Sequence, residues 1–121
     1  MQLQMIDRAF SVCKLERAED ASLEEEFTFF ARTDAEISLV CPTEFVPART
    51  LAREDGWRAF RIVGVLDFSL IGILAKLSAV LAEQGIGIFA VSTYNTDYIL
   101  VKEENYAPAL AALAAAGWEI V

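Results

Sequence analysis

The sequence predicts an α+β protein of two ferredoxin-like βαββαβ units in tandem, an abbreviated one over residues 1–55 and a complete one over 56–121. Three observations predict it. Val40, Phe45, Pro47, Ala48, Gly56 and Trp57 recur at a constant offset of 61 as Val101, Tyr106, Pro108, Ala109, Gly117 and Trp118. In the C-terminal half, period-2 and period-3.6 hydrophobic runs follow one another as strand, helix, strand, strand, helix, strand. Finally, 121 residues with 55% hydrophobic content suffice for one ordinary domain or two very small ones, with apolar surface to offset chain entropy.

Arg8 to Leu15 reads as the first strand, and only Glu16 to Glu26 separates it from the next, too little for a full crossover helix. The charged run Arg53-Glu54-Asp55 marks the boundary between the copies. Arg58 to Leu66 opens the second copy, with Arg58-Ala59-Phe60-Arg61-Ile62-Val63 alternating as a half-exposed strand does. Asp67 to Gly85 is predicted as a helix: Leu70, Ile73 or Leu74, Leu77, Val80 and Leu81 share one face, Asp67 or Ser69 caps its start, and Gly85 supplies a left-handed stop. Ile86 to Thr93 and Asp97 to Lys102 follow as strands around the turn Tyr94-Asn95-Thr96. A second helix runs from about Asn105 to Ala116, with Pro108 in its first turn and Gly117 ending it, and Trp118 to Val121 forms the last strand.

The chain contains no histidine, which removes Ser-His-Asp and Cys-His catalysis and every His-containing metal site. No nucleophile motif remains, so an enzyme is not expected. A net charge of −8 with dispersed basic residues argues against nucleic acid, whose phosphates require Lys and Arg clusters. An RNA-recognition sheet is also excluded, because Tyr98-Ile99-Leu100-Val101 lacks the aromatic and basic residues such a strand carries. Glu24-Glu25-Glu26 and Glu103-Glu104 lack metal-ligand spacing and read as solvated faces. Cys13 and Cys41 lie in apolar stretches and read as buried, reduced thiols. Phe27, Phe29, Phe30, Phe45, Trp57 and Trp118 read as packing anchors. Met1 to Arg8 lacks the order of a signal peptide, and Leu70 to Ala82 is too short and too interrupted by Lys76 to span a bilayer, so a cytoplasmic location without membrane attachment is expected.

Gly64 to Asp67, the run Leu66-Asp67-Phe68-Ser69-Leu70-Ile71-Gly72-Ile73-Leu74, Gly85-Ile86-Gly87-Ile88 and Ser92 to Val101 together resemble an ACT domain. The variety most resembled is that of the tandem ACT regions of aspartate kinases and of the arginine sensors upstream of the TOR kinase. The resemblance covers Trp57 to Val121 well and is weaker over Met1 to Pro47. It implies a regulatory module that binds an amino acid or similar small metabolite between paired ACT units; no cofactor and no metal are expected. Carried over, it assigns the ligand to Asp67, Phe68, Ser69, Gly72 and Ile73, with Ser92, Thr93, Asn95, Thr96 and Asp97 on the facing segment.

Elementary chemistry supports such a site partly apart from the resemblance. A helix N-terminus presents amides without intrahelical acceptors and a partial positive charge suited to a carboxylate. Gly72 permits close approach, and Asp67 can take an ammonium group. The bland alternatives are that Asp67 or Ser69 is only an N-cap, and that Asn95-Thr96-Asp97 is only a turn bonding its own backbone. Gly85 and Gly87 are conformational, since no phosphate-binding pattern surrounds them. The abbreviated first copy leads to the expectation of a homodimer that completes the ligand interface and acts on a regulated protein partner. The competing expectation is a structural or protein-interaction module with a vestigial pocket.

Overall fold

The computed structural model describes residues 1–65, 67 and 71–121, which divide into two compact units. The C-terminal unit consists of Met1–Asp7 and Arg58–Val121, and the inserted unit of Arg8–Trp57. Met1–Asp7, assigned by the sequence reading to the first segment, therefore belongs with the second. The reason is packing: Leu3 is fully buried in the C-terminal unit's core. Two long strands, β1 (Gln2–Leu15) and β4 (Ala52–Ile62), each supply residues to both units. The charged run Arg53-Glu54-Asp55 lies at the start of β4, where Arg53 and Asp55, two apart on a strand, pair through Nη2–Oδ1 at 3.0 Å.

In the C-terminal unit, β5 (Phe89–Ser92) and β6 (Asp97–Lys102) form an antiparallel hairpin, and the strand order is β5-β6-β4-β1. A short β7 (Glu119–Ile120) runs parallel to β1 through Gln2↔Glu119 and Leu3↔Ile120. Phe60 and Ile62, and likewise Ile99 and Val101, recur at period 2 and are fully buried on one sheet face. Against them pack α1 (Ile73–Glu83) through Leu77 and Leu81, and α2 (Glu103–Ala115) through Tyr106, Ala109 and Leu113. Each fully buried leucine contributes roughly 1.5–3 kcal/mol of apolar transfer. Tyr106 also donates its hydroxyl to the Ala59 carbonyl at 2.7 Å and lies under the Arg58 guanidinium at 4.6 Å.

Both helices differ from expectation at their starts. Helix α1 begins at Ile73 rather than near Asp67, and Gly72 is its N-cap at φ +83°, a left-handed backbone that a glycine adopts without steric cost. Asp67 therefore lies too far upstream to cap, while Leu66, Phe68, Ser69 and Leu70 fall outside the described residues. At the other end Gly85, at φ +71°, stops the helix as expected, and Ile86 N–H donates back to Leu81 O at 3.0 Å. Helix α2 begins two residues early, at Glu103, because Lys102 is still extended and the helix follows the strand directly. Glu103 and Glu104 thereby complement the positive helix end. Pro108 consequently sits inside the helix rather than in its first turn.

The inserted unit has the strand order β2-β3-β1-β4, with β2 (Phe29–Arg32) and β3 (Ile37–Pro42) forming a hairpin and β3 pairing antiparallel with β1. Its described residues contain no α-helix: single 3-10 turns at Ala18–Asp20 and Thr43–Phe45 stand in the corresponding chain positions. Its core is small, with Cys13, Leu15, Leu39 and Cys41 covered by Phe30, Ile37, Phe45 and Val46. Both thiols are free and buried; burial, reinforced by Cys13, pushes the Cys41 thiol up to about 11. Nearby, buried Ser11 shares a hydrogen bond with Thr43 at 2.9 Å and donates to Asp55 at 2.5 Å.

The two hairpins share one register, shifted by 60 rather than 61. The pair Phe29↔Val40 is matched by Phe89↔Leu100, and Arg32↔Ile37 by Ser92↔Asp97. Because side chains alternate between faces, the offset of 61 would place each residue on the wrong side of its strand. Gly56-Trp57 and Gly117-Trp118 match as letters but not as structure, the first lying within β4 and the second closing α2.

Candidate functional site

The first turn of α1 and the β5–β6 turn border one surface depression of about 340 Å³. Of the residues proposed from sequence, Asp67, Gly72, Ile73, Ser92, Thr93, Asn95, Thr96 and Asp97 all line it, and Phe68 and Ser69 fall outside the described residues. Three further residues line it without having been singled out: Leu74, Ala75 and Tyr94. Their only sequence signal is position, since each flanks or continues a chosen run.

The helix wall is a backbone feature. The first intrahelical bond runs from Lys76 N–H to Gly72 O at 2.9 Å, so the amides of Ile73, Leu74 and Ala75 have no acceptor within the helix. Gly72 has no side chain to cap them, and the partial positive charge of the helix end is concentrated there.

The opposite wall is polar and tightly bonded. Ser92 and Asp97 face each other across the hairpin, and the Ser92 hydroxyl donates to Asp97 Oδ1 at 2.5 Å. Thr93 N–H and the Thr93 hydroxyl both donate to Thr96 O, at 2.9 and 3.0 Å. The Thr96 hydroxyl donates to Ile62 O at 2.7 Å, and Thr96 is only 7% exposed. Thr93 and Thr96 therefore hold the turn and pin it to β4, whereas Tyr94 and Asn95 at its tip are exposed and Asp97 is half-buried.

On its other side the same turn borders a second depression, of about 320 Å³, that includes Gln4, Arg61 and Tyr98. There the Arg61 guanidinium donates to Gln4 Oε1 at 3.0 and 2.9 Å and to Tyr98 Oη at 2.9 Å, tying β1, β4 and β6 together. Among the described residues no three His, Cys, Asp or Glu side chains group as a metal site would require, and no helix is long and apolar enough to cross a membrane. The first depression thus offers backbone donors at one end and a carboxylate with hydroxyls at the other.

Comparison with known proteins bears on the fold and the family. A protein from Agrobacterium tumefaciens, 28% identical, superimposes with a TM-score of 0.85 over 99% of this chain and 91% of that one. The aspartokinase alpha and beta subunits, 18% identical, give 0.65 over 96% and 97%. The regulatory subunit of aspartate kinase from Thermus thermophilus, in its ligand-free form and 12% identical, gives 0.64 over 97% and 98%. At these last two identities the likeness is one of fold. No curated protein matches the chain significantly. The family model of the ACT domain matches residues 52–115, more than half of the sequence, and the chain belongs to the ACT domain family.

Proposed function

We propose that this protein is a non-enzymatic regulatory module that binds an amino acid in the depression between the α1 start and the Ser92–Asp97 segment. The observation that carries the reading is the convergence of a helix N-terminus and a carboxylate on one concave surface. In the proposed complex the ligand carboxylate accepts hydrogen bonds from the amides of Ile73, Leu74 and Ala75. The ligand ammonium donates to Asp97, oriented by Ser92, with Asp67 on the same rim. Phe68 and Ser69 belong to this proposal through the family resemblance alone.

The same proposal treats the two units as tandem ACT-like modules, the inserted one abbreviated, and assigns a homodimer in which a second copy completes the ligand interface. Binding then favours one arrangement of the assembly and acts on a partner protein, to the extent that the ligand's affinity differs between states. The competing reading, an interaction module with a vestigial pocket, draws support from the turn itself. The Thr93 and Thr96 hydroxyls are engaged within the protein, so neither is needed to explain a ligand.

Thermal or urea unfolding in the presence of each proteinogenic amino acid separates the two. A ligand at about 100 times its Kd adds about 2.7 kcal/mol of stability, and Asp97→Asn weakens that ligand roughly ten- to a hundredfold by removing a charge-assisted bond. Silence from every amino acid would favour the interaction module. Light scattering across a wide concentration range tests the dimer, which a monomer throughout would remove.

A further inference from the structure

We draw no further inference here: the strongest candidate, the depression of about 310 Å³ on the C-terminal unit bordered by Met1, Ile73, Lys76, Val80 and Trp118, carries none, because nothing in the structure shows what covers it.

Discussion

The β2–β3 and β5–β6 hairpins close on the same bonded turn in different surroundings. Thr33 N–H reaches Glu36 O at 2.9 Å, and Thr93 N–H reaches Thr96 O at the same distance. In the inserted unit Glu36 is exposed and the flanking pair is Arg32↔Ile37. In the C-terminal unit the same positions hold a buried threonine bonded to Ile62 O and the hydrogen-bonded pair Ser92↔Asp97. Only the second unit follows its first strand with an α-helix whose start lies beside the turn. The turn is therefore a folding device common to both units, and a candidate site arises where a helix N-terminus and a cross-strand carboxylate are added to it.

The largest expected effect tests whether the helix layer sets the two units apart in stability. Leu77→Ala empties a fully buried position under α1 and is expected to cost about 3 kcal/mol. Phe45→Ala, at the half-buried 3-10 turn that stands where α2 does, is expected to cost about 1 kcal/mol. Urea midpoints at a common m-value measure both, and equal losses would erase the distinction. Next in size is Thr96→Val, which leaves the Ile62 carbonyl without its hydroxyl donor and is expected to cost about 2 kcal/mol. Its counterpart Glu36→Gln, on an exposed turn, is expected to stay within about 0.5 kcal/mol. A Glu36 effect as large as that of Thr96 would show that anchoring to a neighbouring strand is not what separates the hairpins.

The sequence made the β5–β6 hairpin and the C-termini of both helices legible, because alternation, Gly85 and Gly117 are local signals. It misplaced the start of α1: the apolar face continues upstream of Ile73 in the letters, but a left-handed Gly72 fixes the first turn, and that glycine was read only as permitting close approach. Likewise Leu3 gives no sign of which core it enters, since strand partners are set by long-range packing. The register shared by the two hairpins was missed by one residue because Gly-Trp and Pro matches outweighed pleat alternation. The lining of the candidate depression was legible largely because the motif names those residues; the commitment of the Thr93 and Thr96 hydroxyls to the protein itself was not legible, as it depends on the proximity of β4.

A smaller contrast is expected in alkali. The Cys41 thiol is held at about 11 by burial, above its ordinary 9.0, so the folded state retains its proton where the unfolded chain loses it. That contribution is fully present below pH 9 and is lost as pH rises through about 11. Replacing the thiol with Cys41→Ala is expected to reduce the fall in urea midpoint across this window. Burial also raises the Tyr106 phenol of the C-terminal unit, so Tyr106→Phe is expected to act in the same direction there. If neither substitution changes the slope, the alkaline loss arises elsewhere.

The smallest effect concerns Gly72, which caps α1 and has no counterpart in the inserted unit because no α-helix follows there. Apart from its chain neighbours, a methyl group at this position would meet no atom of the described residues within 4 Å, so Gly72→Ala tests backbone conformation without a clash among them. Holding alanine at φ +83° costs about 1 kcal/mol, and relaxation toward a right-handed backbone would turn the first-turn amides away from the depression. Gly72→Asn, which tolerates the left-handed region better, is expected to lose less stability. If the amides of Ile73 to Ala75 hold the ligand carboxylate, amino-acid affinity falls in the order Gly72, Asn, Ala, in step with stability. An alanine variant that loses its 1 kcal/mol while keeping full affinity would confine Gly72 to capping and move the carboxylate elsewhere on the depression.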